Sequence, residues 1–443
     1  MRDITVLGII AALAAYALVH PWVGIMGWTW LSLMNPHALG WELRFMPVAA
    51  AMAIATLIGI VISKDRKTFY VTPETAALMA FMLWMTMTLI FSIYFEWSTL
   101  MWKRVMKIDF MVLVALIVLY SKTHITTLVW VVAGSIGFYG FKGGLFTVAT
   151  GGSYLVWGPT GTYIEGNNEL ALALILIIPL INFLYLTHEG KWTKRGLMLW
   201  MLLCAVAALG SHSRGALLAI GAMGGLLWLR SPGKLQSGLA ILLIGIVALF
   251  FMPEKWMERM TSIGEYKSDA SALGRLNAWS MAWNLASDRF LGGGFEVYTP
   301  EIFAQYAPVP WDLHQAHSIY FQVLGEHGFF GLFLFLLMWG LVWRQAGKLR
   351  KDGRANPETL WVSHLGAMCQ VSLAGYAVGG AFLSLAYFDL PYNILLLVVL
   401  GRRWLDRKGW IEEGIPGRAN TLPRSKATPD SNPKPASANT AVR

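Results

Sequence analysis

Apolar stretches of about 20 residues recur along most of the chain, and each is long enough for a helix that crosses the hydrocarbon core of a bilayer. The sequence therefore predicts an all-α polytopic membrane protein with about 12 transmembrane helices. The predicted spans are 4–35, 45–62, 75–94, 106–121, 125–141, 169–187, 197–210, 215–229, 235–252, 328–345, 360–383 and 390–401.

The first of these spans is interrupted at His20-Pro21. Proline removes a helical hydrogen-bond donor and clashes with the preceding turn. The segment is therefore predicted to be either one broken helix or two short helices that together make one crossing.

Composition supports a membrane protein over a soluble one. Charged residues make up 14% of the chain and hydrophobic residues 56%, whereas soluble domains carry about 25% charged residues. The net charge of +10 sits in short clusters between the apolar runs, and no nucleic-acid-binding motif accompanies it. Nucleic acid is therefore not expected as a partner; membrane lipids are.

Basic clusters orient the predicted spans, because cytoplasmic loops of membrane proteins are enriched in Lys and Arg. Twelve crossings place all of these clusters, and both termini, on the cytoplasmic side of a bacterial inner membrane. The clusters are Lys64/Arg66/Lys67, Lys191/Lys194/Arg195, Arg230/Lys234, Arg344/Lys348/Arg350/Lys351/Arg354 and Arg402/Arg403/Arg407/Lys408.

Four regions follow from this topology. Residues 1–252 form the N-terminal transmembrane helices, 253–327 a large periplasmic loop, 328–405 the C-terminal transmembrane helices, and 406–443 a basic cytoplasmic tail without enough apolar residues to fold. Within the large loop, Leu276, Trp279 and Trp283 recur at helical spacing. That spacing predicts an amphipathic helix lying on the membrane surface.

Two arginines on the predicted outer face are candidates for binding phosphate. Arg214 is either an interfacial arginine whose stem lies in the apolar layer or a phosphate clamp, since a planar guanidinium matches phosphate oxygens. Arg275 is either a solvated loop arginine or a second clamp.

His317 is the best candidate for proton transfer, because imidazole titrates near neutral pH. The alternative is a hydrogen-bonded structural histidine. His314 and His327 are close in sequence, but their spacing is not that of a zinc site, and no HExxH motif is present. No metal and no cofactor are therefore expected.

Four further cations lie on the predicted outer face. Lys103, Arg104 and Lys107 either mark a misplaced span boundary or attract an anionic lipid head group. Lys142 lies in Gly140-Phe141-Lys142-Gly143-Gly144, which is interpreted as a glycine-rich turn. No P-loop or dinucleotide motif is present, so the energy for any reaction must come from the substrate.

Taken in order, several short motifs resemble the bacterial O-antigen ligase and polymerase superfamily, most closely its subgroup of probable O-glycosylation ligases. The motifs are Trp157-Gly158-Pro159, Tyr163-Ile164-Glu165-Gly166-Asn167-Asn168-Glu169, Ser213-Arg214-Gly215, Gly274-Arg275 with Trp279, and the stretch from His317 to Glu326-His327-Gly328-Phe329-Phe330-Gly331. The family's usual Asn after the essential histidine is Ser318 here.

The resemblance implies a metal-independent glycosyltransferase that uses a glycan linked to undecaprenyl diphosphate. It assigns catalysis to His317 as general base and diphosphate binding to Arg214 and Arg275. Lys142 and Lys103 are additional candidates for the diphosphate, and His314 and Glu326 are secondary candidates for catalysis.

The expected reaction transfers the glycan to an acceptor hydroxyl on the periplasmic face with inversion, and the acceptor is lipid A–core in lipopolysaccharide biosynthesis. A protein O-glycosylation ligase or a polysaccharide polymerase with the same donor is an alternative. A lipid-linked glycan transporter is the non-enzyme alternative, although no internal repeat is present.

Overall fold

The fold is a bundle of helices in a computed structural model that describes residues 2–68, 70–230, 233–235, 238–239 and 270–413, and no strand occurs among them. The α-helices are α1 (Arg2–Val19), α2 (Pro21–Met34), α3 (Val48–Ile62), α4 (Pro73–Ile90), α5 (Phe95–Val118), α6 (Lys122–Ala149), α7 (Asn167–Thr187), α8 (Lys191–Gly210), α9 (Arg214–Arg230), α10 (Ala270–Asp288), α11 (Pro300–Tyr306), α12 (Ile319–Asp352), α13 (Leu360–Gly379), α14 (Asp389–Asp406) and α15 (Gly409–Glu412). The predicted all-α class is confirmed.

Within the described ranges, seven helical segments are long and apolar enough to cross a membrane. They are α1, α4, α6, α7, α8, α12 and the segment Pro357–Phe382, which contains α13; α3 is a shorter apolar helix. A multi-pass membrane protein follows from these lengths and compositions. The total of 12 stays a prediction, since most of the predicted span 235–252 and the tail from 414 lie outside the described residues.

The first predicted span forms a hairpin of two helices, so its interpretation as a single crossing is wrong. Ile10 of α1 and Leu31 of α2 belong to one buried cluster. The carboxylate of Asp3 accepts hydrogen bonds from the backbone N–H groups of Trp41 and Glu42. Residue 3 therefore lies beside residue 41, and α2 runs back along α1 after the turn at His20.

Most of the basic clusters gather at one end of the bundle, here called the basic end. Arg66 bonds Glu412 at 3.0 Å, Arg402 bonds Asp352 at 2.7 Å, and Arg407 bonds the carbonyl of Tyr120 at 2.6 Å. This grouping is the pattern that the positive-inside rule requires of a cytoplasmic face.

The N-terminal residues lie at the opposite end, which corrects the prediction that both termini accompany the basic clusters. His20 Nδ1 lies 3.1 Å from a carboxylate oxygen of Asp65, so the turn between α1 and α2 is at the basic end. Residue 3 is then at the far end of α1. The error arose because one crossing was assigned where the chain makes a hairpin.

Helix α7 lies at the centre of the bundle, and almost all of its apolar side chains are buried. It packs against α6, α8, α9 and α13. A helix that is apolar on every side is suited to the interior of a bundle. Its N-terminal residues Asn167 and Asn168 are thereby held at the end opposite the basic end.

Between α9 and α12, the predicted large loop contains two helices, and its first residues, 253–269, lie outside the described residues. The predicted amphipathic helix exists as α10. Its buried face consists of Ala278, Met281 and Leu285, while Leu276 and Trp283 are exposed. Contact of that exposed face with lipid stays a prediction.

Candidate active site

Arg214, Arg275 and His317 line one pocket of about 240 Å³, here called the transfer pocket. The three residues are far apart in sequence and come from α9, α10 and the connection that precedes α12. The end of the bundle that carries this pocket is called the site end. The other lining residues are Asn168, Ser213, Gly215, Ser271, Phe382 and Leu383.

Arg214 is placed by a tight turn between α8 and α9. His212 has a positive φ of 55°, and its Nε2 donates a hydrogen bond to the carbonyl of Gly152 at 2.8 Å. Ser213 then accepts a hydrogen bond from the backbone N–H of Ala216 at 3.2 Å, as an N-cap does. The N-terminus of α9, with its partial positive charge, therefore faces the transfer pocket together with the guanidinium.

Arg275 is placed by α10, which also fixes the connection that leads to His317. The Asn277 amide donates to the carbonyls of Val309 and Asp312 and accepts from the N–H of Val309. Trp279 Nε1 donates to the carbonyl of Ala316 at 2.7 Å. The same helix therefore carries Arg275 and, through Asn277 and Trp279, holds the connection up to residue 316, which directly precedes His317.

His317 has a strained backbone and a half-buried ring. Its φ is +40°, a value that non-glycine residues rarely adopt and that is found at functional sites. The backbone N–H donates to Ser384 Oγ at 3.0 Å. Burial lowers the pKa of the imidazole to about 4, and the positive charge of Arg275 and then His314 add to this effect. The ring is therefore neutral at pH 7 and can accept a proton.

Glu326, a secondary candidate, lies outside the lining of the transfer pocket. Its carboxylate is buried and accepts hydrogen bonds from the hydroxyl of Tyr387 and the backbone N–H of Glu296. The backbone carbonyl of Glu326 also accepts from the N–H of Gly294 at 2.9 Å. These contacts hold α12 to its neighbours, and a catalytic role for Glu326 stays a prediction.

His314 is also absent from the lining of the transfer pocket. Its Nδ1 lies 3.1 Å from a carboxylate oxygen of Asp312, and its ring packs directly over Gly274, where a Cβ would come within 2.3 Å of the ring. His314 therefore packs between α10 and the connection to His317, and a catalytic role for it stays a prediction.

The two additional cations predicted for the diphosphate do not join Arg214 and Arg275. Lys142 lies inside α6 and not in a turn, and its ammonium lies 5.5 Å from the centre of the Phe138 ring. The small residues around it serve close packing of α6 on α8, because a Cβ at Gly144 would meet the Leu203 carbonyl at 2.4 Å. Lys103 lines a different pocket, together with Arg104 and Lys107.

Among the residues with a described structure, no group of three or more His, Cys, Asp or Glu side chains could hold a metal ion. His327 is buried in the core, where its Nδ1 lies 2.7 Å from the hydroxyl of Thr88. The two cysteines, Cys204 and Cys369, are buried as expected. Independence from metal ions stays a prediction.

Sequence reasoning missed the wall formed by Phe382 and Leu383 and the contact of Ser384 with His317. These residues lie in the connection between α13 and α14, part of which was assigned to a membrane span. The only available signal was Ser384, a polar residue between two apolar runs.

Comparison with protein families gives two matches, which follow one another along the chain and end at residue 336. A family model described as O-antigen ligase matches residues 197–336, the range that contains Arg214, Arg275 and His317. A family of unknown function matches residues 1–190. No curated protein matches the chain significantly.

Proposed function

We propose that the chain is a member of the O-antigen ligase superfamily and that it transfers a glycan from undecaprenyl diphosphate to an acceptor hydroxyl on the periplasmic face of the inner membrane. The family match supports a ligase- or polymerase-type function in polysaccharide biosynthesis. The observation that carries the finer proposal is the meeting of Arg214, Arg275 and His317 in one pocket.

In this reaction the bond between the anomeric carbon and the diphosphate oxygen breaks, and a bond from the acceptor oxygen to that carbon forms. Departure of the diphosphate concentrates negative charge on its oxygens. The guanidinium groups of Arg214 and Arg275 and the N-terminus of α9 offer fixed positive charge to stabilise it. Because these groups are held before the reaction begins, they need no reorganisation in the transition state.

His317 accepts the proton of the attacking hydroxyl. In the absence of substrate, burial and then the charge of Arg275 lower the pKa of the imidazole and keep it neutral, which is the form a general base requires. The bound diphosphate brings negative charge beside the ring and favours the imidazolium that forms. Direct displacement by the acceptor inverts the anomeric centre and leaves undecaprenyl diphosphate as the second product.

The test is a transfer assay with the purified full chain and an undecaprenyl-diphosphate-linked glycan. Lipid A–core and a protein acceptor are offered separately, without nucleotide and in excess EDTA. We expect glycosylated lipid A–core to form under these conditions. Product formed only on the protein would assign the acceptor differently, and activity that returns only with an added divalent ion would contradict the arginine mechanism.

A further inference from the structure

A second cavity of about 450 Å³, here called the cation pocket, opens at the site end of the bundle. It lies between the end of α2, residues 100–108 of α5, the connection before α7 and the start of α14. Lys103, Arg104 and Lys107 of α5 line it, and all three side chains are exposed.

The positive charge of the cation pocket exceeds its negative charge. No ion pair among the described residues includes any of the three cations. Arg104 instead lies over the ring of Tyr163, 5.8 Å from its centre. The one carboxylate in the lining belongs to Asp389, which is buried and accepts a hydrogen bond from the hydroxyl of Ser32. Three cations against one carboxylate favour an anionic ligand.

The cation pocket and the transfer pocket are lined by nearby residues of the same two parts of the chain. The connection before α7 contributes residues 161–164 to the cation pocket, and Asn168 at the start of α7 lines the transfer pocket. The connection between α13 and α14 contributes Phe382 and Leu383 to the transfer pocket, and Phe388 to the cation pocket. None of Arg214, Arg275 and His317 lines the cation pocket. The two cavities are therefore neighbours with separate charged groups.

We propose that the cation pocket binds a phosphorylated sugar of the acceptor, next to the donor in the transfer pocket. This inference rests on the proposed glycan transfer and names the class of its second substrate. The cations would bind the phosphate oxygens, since charge-assisted hydrogen bonds to phosphate are strong. The side chains of Asn35, His37 and Asp389 line the same cavity and offer hydrogen-bonding groups for sugar hydroxyls.

The experiment compares the wild type with a K103Q/K107Q double variant, which keeps Arg104 and its contact with Tyr163. The matched control is K142Q, because Lys142 is an exposed lysine that lines neither pocket. Each protein is assayed in nanodiscs of phosphatidylcholine with phosphorylated lipid A–core and with the same acceptor after phosphatase treatment. KM is measured separately for donor and acceptor.

The double variant is expected to raise KM for the phosphorylated acceptor about tenfold or more, since two charged contacts are lost. KM for the donor and for the dephosphorylated acceptor should stay at the wild-type value. A rise in the donor KM would overturn the proposal, because the lysines would then serve the diphosphate. An equal rise in KM for the phosphorylated and the dephosphorylated acceptor in the double variant would also overturn the proposal. An effect that appears only when phosphatidylglycerol is added would assign the pocket to a lipid head group instead.

Calorimetric titration with phosphorylated lipid A–core in the absence of donor separates this proposal from the proposed function. Weaker binding by the double variant, with no transfer by any protein, would contradict glycan transfer and leave the pocket assignment standing. Equal binding by all proteins, with transfer intact, would contradict only the pocket assignment.

Discussion

His317 combines a backbone conformation of high energy with a side chain that burial keeps uncharged. Two hydrogen bonds maintain this backbone strain. Trp279 Nε1 donates to the carbonyl of Ala316, and the N–H of His317 donates to Ser384 Oγ. A side chain held in this way is pre-organised, which is what a base needs in order to meet an incoming hydroxyl.

Replacing His317 with Ala is expected to reduce glycan transfer by about 10²–10⁴-fold, the usual cost of losing a general base. The control is H188A, because His188 is exposed and follows α7 at the basic end. Initial rates are measured on proteins with matched expression and melting temperature. Near-normal transfer by a folded H317A protein would contradict the assignment.

The pH dependence of transfer should reflect the lowered pKa of His317, about 4. A lowered pKa keeps the base neutral as the pH falls, so kcat/KM for limiting donor should stay level from about pH 8 to about pH 5.5 and decline only below that range. The acidic decline of kcat should lie at higher pH than that of kcat/KM, since bound diphosphate stabilises the imidazolium. A decline of kcat/KM centred near the ordinary histidine pKa, absent in a pH series on H317A, would contradict this.

The two arginines of the transfer pocket are expected to depend on shape as well as charge. Substitution of Arg214 or Arg275 by Lys should be nearly as harmful as substitution by Ala, because lysine lacks the planar fork that binds two phosphate oxygens. The measurement is kcat/KM for the lipid-linked donor. R44K is the control, since Arg44 is exposed and lies over Phe45. Wild-type rates in both Lys variants would show that charge alone is sufficient.

At the scale of elements, α10 is the part that joins the two halves of the transfer pocket. It contributes Arg275 directly and holds the connection to His317 through Asn277 and Trp279. The ring of Trp279 also stacks on Phe321 in α12, with 4.8 Å between ring centres. A displacement of α10 would therefore change the position of the cation and the base together.

Replacing Asn277 with Ala should lower kcat by about 10-fold to 100-fold, because it frees the connection to His317 and small misplacements of catalytic groups are costly. The N284A variant is the control, since Asn284 lies on the same helix and makes one bond, to the Tyr306 carbonyl. Donor binding by N277A should change much less than kcat. Equal kcat values for the two variants would contradict a positioning role for Asn277.

For the whole molecule, the basic clusters and the transfer pocket lie at opposite ends of the bundle. The N-terminus is at the site end because α1 and α2 form a hairpin. If the basic end faces the cytoplasm, as its charge indicates, then residue 2 faces the periplasm together with the pocket.

Single cysteines test this arrangement with an impermeant thiol reagent added from the periplasmic side. Cysteines at positions 2, 270 and 305 are expected to react, and one at position 351 should not. The native cysteines Cys204 and Cys369 are buried, so their background labelling should be low. Labelling at 351 but not at 305 would reverse the orientation, and protection of position 2 alone would contradict the hairpin.

The sequence by itself determined the helical membrane fold, the basic end and the three residues of the transfer pocket. Apolar length and charge clusters are local properties, and the motifs around Arg214, Arg275 and His317 are contiguous in the chain. Their meeting in one pocket was an expectation of family resemblance until the tertiary structure brought α9, α10 and the connection before α12 together.

Only the tertiary structure decided the positions of Lys103 and Lys142, the position of the N-terminus and the contact of Ser384 with His317. Each of these features depends on the rotation or the direction of one helix relative to its neighbour, and amino-acid composition does not specify either. Lys103 and Lys142 are both exposed cations on apolar helices, yet one lines a pocket and the other does not. A proline turn can likewise kink a span or reverse it, and packing of α1 against α2 and α3 favoured reversal.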